Sequence, residues 1–212
     1  MISTKNPNAL PDWKKLREAC KAMAVLDAIF SPDWVYRYYS YDSHWSENEE
    51  FFEMRNGEGG QMLILFRDEG AVINGYTSEM AESNKEALTN QLPAMFEEFI
   101  FGEPVSSSGT TFCVWTEADG NWQTGFLPTE DDYSEELLSA LDGLPETYLK
   151  WASNYYAGSY IEGGIPLETV TRIFRQEPLT TAMVLSLVKE IEDWNQLKDD
   201  LAEISYQYHL IH

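Results

Sequence analysis

Along the chain the spacing of apolar positions switches from helical to extended and back to helical. Leu16, Cys20, Met23, Ala24 and Ile29 or Phe30 recur at helical spacing behind Pro11 and Asp12. This predicts an opening amphipathic helix that Pro32 ends. The period then changes. WVYRYYSYDSHW is dense in aromatic and β-branched residues with no helical stripe, which reads as strand or extended loop. EFFEMR, QMLILF and AVINGY follow as strand candidates, separated by the turns NGEGG and RDEG. Asn56-Gly57 and Asp68-Glu69-Gly70 supply the positive-φ positions that tight reversals need. QMLILF is almost continuously apolar, as expected of a central strand buried on both faces.

Residues 78–101 read as helical, with Ser78 as the cap of a Glu-rich segment and Pro93 before the apolar AMFEEFIF. A second hairpin joins TTFCVWTE to NWQTGF through Ala118-Asp119-Gly120-Asn121. Thr110, Phe112, Val114 and Thr116 alternate with Thr111, Cys113 and Trp115, which predicts one apolar and one mixed face. From about residue 134 the pattern is helical: EELLSALDG behind Ser134, then ETYLKWASNYYAG, PLETVTRIFRQ, TTAMVLSLVKEI and WNQLKDDLAEI. Hairpin units followed by consecutive helices predict an α+β fold. The expected architecture is an antiparallel meander sheet of about five or six strands, packed by the N-terminal helix and a helical C-terminal half. The loops are short, so residues 1–212 read as a single domain, strand-rich over 35–127 and helical over 134–206.

Charge changes this picture more than composition does. Fourteen Lys and Arg stand against 36 Asp and Glu, a net charge of −22. Such a chain repels phosphate backbones and anionic membrane surfaces, so neither nucleic acid nor membrane is expected as a partner. It also accelerates encounters with basic proteins. Cys20 and Cys113 are the two cysteines, too few for a disulfide framework. With no secretory pattern in MISTKNPNALPDW, a reducing cytoplasm is the expected home. Seven Trp and twelve Tyr are a rich supply of the residues that anchor protein interfaces.

No catalytic constellation emerges from spacing. His44 is the one histidine outside the last four residues, and it stands beside Trp45 in an aromatic stretch. GxSxG, CxxC and HExxH are absent, EADGNW does not fit a calcium loop, and NGEGG lacks the GK[ST] ending of a phosphate cradle. No cofactor, metal ligand set or catalytic residue is therefore assigned. Two acidic and aromatic segments remain as candidate protein-binding faces. One is Glu47, Glu49, Glu50 and Glu53 beside Trp45, and the other is Glu130, Asp131, Asp132 and Tyr133 running on to Glu136.

A set of fragments carries a resemblance: MRNGEGGQMLILF, INGYTSEM, Glu103-Pro104, TTFCVW, Trp122 and Gly125, WASNYY, Glu177-Pro178-Leu179-Thr180 and AEISY. Together they span about residues 50–206 and are similar to a group of bacterial proteins whose activity is not established. These are core and turn residues, so the resemblance implies a bacterial, cytoplasmic protein and transfers no site. In character the chain also resembles the immunity proteins of bacterial toxin systems, which are small, acidic and α+β. The expectation is an acidic binding protein that neutralises a basic protein such as a toxin. Two alternatives stand beside it. One is a small-molecule or metal-assisted enzyme using carboxylates, His44 and Tyr36, Tyr38 or Tyr39, and the other is a structural or DNA-mimic protein.

Overall fold

The computed structural model of the chain describes residues 1–80, 83–126 and 131–211. It opens with helix α1 (Trp13–Phe30), whose N-terminus is capped by Asp12 accepting from the Lys14 amide at 3.0 Å. From Ala22 to Phe30 every residue of α1 is buried. The helix is thus the central rod of the fold, enclosed by strand β1 (Tyr39–Ser46) on one side and by later helices on the others. Strands β2 (Glu49–Arg55), β3 (Gly60–Arg67) and β4 (Gly70–Thr77) continue as antiparallel hairpins. Short helices α2 (Lys85–Leu88), α3 (Glu97–Phe101) and α4 (Val105–Ser108) precede β5 (Phe112–Glu117) and β6 (Gln123–Thr124). The six strands form one antiparallel meander in chain order, β1 to β6. The expected α+β architecture is the observed one.

The sheet separates two apolar layers, and strand periodicity explains how. Met62, Ile64 and Phe66 of β3 point to the side of α1, whereas Leu63 and Leu65 point to the opposite side. There they meet Phe96, Phe99, Ile100 and Val105 from the α3–α4 region. A strand covered on both faces gains nothing from alternation, which is why QMLILF reads as an unbroken apolar run. The same applies to β5, and here the expectation of one mixed face is corrected. Phe112 and Val114 join the α1 layer while Cys113 and Trp115 join the other, all of them buried. Gly75 of β4 is required by this packing: a Cβ there would stand 2.1 Å from the ring of Phe112.

The C-terminal half closes the α1 side with α5 (Ser134–Leu137), α6 (Pro145–Tyr155), α7 (Leu167–Phe174), α8 (Thr181–Leu187) and α9 (Trp194–Glu203). Strand β7 (Leu179–Thr180) pairs in parallel with β8 (Tyr208–His209), a contact that nothing in the sequence pattern announces. Several helical expectations are shortened; TTAMVLSLVKEI is a helix only as far as Leu187, where Val188 turns extended. In the described part of 78–101, Asn84 rather than Ser78 is the helix cap, accepting from the Ala87 amide at 3.1 Å. Leu88 is the one buried residue of α2, too little apolar surface to hold a long helix in place. EELLSALDG keeps a single α-turn and then tightens into three-residue turns, with the Leu141 amide donating to the Leu138 carbonyl at 3.0 Å. No helix among the described residues is long and apolar enough to cross a membrane.

Candidate functional site

The second acidic segment builds a concave surface. Asp131 accepts from the Tyr133 amide at 3.0 Å, and Asp132 accepts from the Ser134 amide at 3.1 Å and the Ser134 hydroxyl at 2.6 Å. These side-chain turns hold Tyr133 at a positive φ of 57°. Asp132 itself is buried and also receives the hydroxyl of Thr4, so it fastens the N-terminal segment rather than facing solvent. Asp131, Glu135 and Glu136 remain exposed. With Tyr133, Lys5 and Asp142 they line a cleft of about 900 Å³.

A second cleft, of about 240 Å³, is walled by Tyr38, Tyr39 and Trp151 and bordered by Lys150 and Asn154. Glu136 and Ser139 line both clefts, so the two adjoin along these residues, a groove with a carboxylate-lined part and an aromatic part. The aromatic end is a packed assembly. The Tyr38 and Trp151 rings lie 4.7 Å apart, Tyr39 and Trp151 4.9 Å, and Tyr155 stacks on Trp151 at 5.0 Å. Burial pushes the Tyr38 hydroxyl up to about 12, aided by Tyr155 and the nearby charge of Glu136. It therefore stays a neutral donor at physiological pH.

Behind this wall lies Asp27, fully buried near the end of α1. Its carboxylate accepts from the Tyr39 amide at 2.8 Å, the Tyr148 hydroxyl at 2.8 Å and the Tyr156 hydroxyl at 2.7 Å. Burial drives its pKa from 3.8 up to about 7, although each of these bonds and the charge of Arg37 pull it down. Asp27 thereby ties α1 to β1 and α6, the elements that carry the aromatic wall. Sequence reasoning missed it because a single Asp in an apolar helical run gives no sign of its partners more than a hundred residues away.

The first acidic segment is dispersed by strand alternation. Glu49 and Glu53 share the face of Phe51, whereas Glu50 shares that of Phe52 and points toward α1. Glu49 accepts from Arg67 at 2.9 Å and Glu53 from Gln61 at 2.7 Å. Glu50 is held by Lys21 at 2.6 Å and Tyr41 at 2.7 Å. Burial opposes the charge on Glu50, yet those bonds with the charges of Lys21 and Arg17 outweigh it and lower the pKa. Glu47 is exposed in the turn, and Trp45 stacks on Phe51 at 4.4 Å with 41 % of its surface open. Most of this segment thus serves the sheet. Glu130 lies outside the described residues.

His44 is exposed on β1, apart from the groove that Tyr38 and Tyr39 line. Among the described residues no group of three His, Cys, Asp or Glu side chains is placed to hold a metal ion. No protein-family model, no curated protein and no solved structure matches the chain.

Proposed function

We propose that this chain is an acidic binding protein of the immunity type, which docks a basic protein partner, such as a toxin, in the groove joined at Glu136. The observation that carries this reading is the shared border of the two clefts, which sets the exposed Glu136 beside Tyr38, Tyr39 and Trp151, with Asp131 and Glu135 in the adjoining cleft. A lysine or arginine side chain laid along such a groove meets charge in one part and aromatic faces in the other. The net charge of −22 supports the same partner class, because a field of that sign speeds encounter with a basic surface. Lys5 and Lys150 also border the groove and set its register by repelling a cation placed opposite them. The reading includes a reducing, cytoplasmic setting, with which the two free and buried cysteines agree.

The test begins with affinity purification from the native host, identification of a basic co-purifying protein and reconstitution of the purified pair. Glu136→Lys is expected to weaken that complex about tenfold or more, and raising the salt concentration to slow its association. A complex insensitive to both the substitution and salt refutes the groove. Failure to recover a basic partner refutes the partner class.

A further inference from the structure

Residues 34–36 form a knuckle on the loop between α1 and β1, and its side chains face outward. Trp34 is 49 % exposed, Val35 64 % and Tyr36 72 %, three consecutive large apolar residues in one 3-10 turn. Stray exposed apolar residues are ordinary on a protein surface, but these are held in place at unusual expense. Arg37, itself buried, donates from Nε to the Ser31 carbonyl at 2.8 Å and from Nη2 to the Pro32 carbonyl at 2.7 Å. The same Nη2 reaches Asp200 of α9 at 2.5 Å. Asp33 accepts from the Val35 amide at 3.1 Å. Arg55 of β2 lies over the Trp34 ring at 4.1 Å and donates to the Trp34 carbonyl at 3.2 Å. Two arginines and an Asx turn thus fix the turn before any contact is made, which removes much of the ordering cost of binding.

We infer that the Trp34–Val35–Tyr36 knuckle is the apolar anchor of an interface with a basic protein that offers an apolar hollow rimmed by positive charge. This rests on the reading of the chain as a partner of a basic protein and adds a second contact to it. The charge of the chain and the charges around the knuckle select this occupant. Two copies of a chain carrying −22 repel one another, which disfavours a self-paired knuckle. Anionic lipid surfaces are repelled for the same reason, which disfavours membrane insertion of the exposed rings. Acid prevails around the knuckle: Asp33 caps its turn, Glu203 borders the small crevice beside Trp34, Asp42 lies near enough to Glu203 to raise its pKa further, and the cation over Trp34, Arg55, is paired with Glu53 at 3.6 Å. The knuckle is also connected to the groove. The Tyr38 carbonyl accepts from the Arg55 amide at 2.9 Å, and the Tyr38 ring forms part of the groove wall. The proposed partner spans both.

The experiment places a photo-crosslinking p-benzoylphenylalanine at Tyr36, at Glu136 or at the exposed Leu185 of α8 in the full chain, irradiated in the native host. The expected result is the same Lys- and Arg-rich protein captured from Tyr36 and Glu136 and not from Leu185. With that protein purified, Tyr36→Ala and Val35→Ser are each expected to weaken binding by roughly tenfold or more while leaving the unfolding midpoint unchanged. Capture from Glu136 alone, or binding indifferent to both substitutions, overturns the knuckle and leaves the groove standing. An adduct from Tyr36 with a second copy of the chain, with lipid or with an acidic protein overturns the assigned occupant. A basic protein from neither position overturns the underlying reading as well.

Discussion

The hydroxyl of Tyr156 meets Asp27 Oδ2 at 2.7 Å, where the end of α6 passes the last turn of α1. Tyr148, two turns earlier on α6, reaches the other oxygen of the same carboxylate at 2.8 Å. One acid therefore receives one phenol from α6, a second from the residue that ends it and a backbone amide from β1, and it sits directly behind the aromatic wall of the groove. Its protonation state bears on both stability and the shape of that wall.

The pKa of Asp27 is raised on folding from 3.8 to about 7, so the folded chain holds a proton that the unfolded chain has lost between those values. This contribution to stability is complete below about pH 4, falls as pH rises and levels off above about pH 7. Its full span is about 4 kcal/mol at the usual worth of a pKa unit. Asp27→Asn removes the titration. Urea unfolding of both proteins from pH 4 to pH 8 is expected to show the wild type losing ground to the variant as pH rises. Parallel profiles would contradict this.

Arg37 and Asp200 form a buried ion pair, with both side chains almost without solvent contact. Arg37→Met takes the guanidinium from Asp200, to which Gln196 still donates at 3.1 Å, and leaves the Ser31 and Pro32 carbonyls without its donors. A loss of about 3–5 kcal/mol is expected in chemical denaturation, and Asp200→Leu added to it should restore part of that loss. A double variant no more stable than Arg37→Met would show that the uncompensated carboxylate is not the source of the cost.

Gly75→Ala sets a methyl group 2.1 Å from atoms of the buried Phe112 ring. The ring has apolar neighbours on its layer and little room to retreat, so a loss of roughly 1–3 kcal/mol is expected. A thermal midpoint within a degree of the wild type would mean that the β4–β5 packing yields more easily than its geometry implies.

Glu50 and Glu136 offer a paired contrast. Glu50→Gln weakens the bonds to Lys21 and Tyr41, and a loss of about 1 kcal/mol in stability is expected with no change in partner binding. Glu136→Gln, at an exposed position, is expected to leave stability within about 0.5 kcal/mol and to weaken the basic partner. Denaturation and calorimetric titration of both variants check the pair, and a reversal would move the interface to the β1–β2 edge.

What the sequence made legible follows period and turn chemistry. The opening helix, the strands EFFEMR, QMLILF and AVINGY with their turns, and the helical second half could all be read from apolar spacing, whereas the order of the strands and the all-round burial of the second half of α1 could not. Two-sided burial of β5 could not, because Thr110, Thr111 and Thr116 look like solvent-facing residues in sequence. In the structure each is buried, and Thr110 donates to Asn74 at 2.8 Å. The groove was half legible: Asp131 and Tyr133 stood out as an acidic and aromatic pair. That their cleft adjoins the one lined by Tyr38 and Trp151 depends on tertiary packing, which local pattern does not encode. Exposure of Trp34–Tyr36 was equally hidden, since an aromatic run that reads as strand or extended loop does not reveal which of its rings a buried Arg37 holds outward.

The N-terminal segment binds to partners far down the chain: Thr4 to Asp132 and Ser134, Asn8 and Pro11 to Trp122. On the ribosome, residues 3–11 emerge long before residues 122–134 exist. At about 5–20 residues per second, they wait on the order of ten seconds for their acceptors and donors. The lip of the groove nearest Lys5 and Tyr133 is accordingly a late product of synthesis. A nascent chain halted before residue 130 would present its sheet hairpins while still lacking the surface on which a partner would be captured.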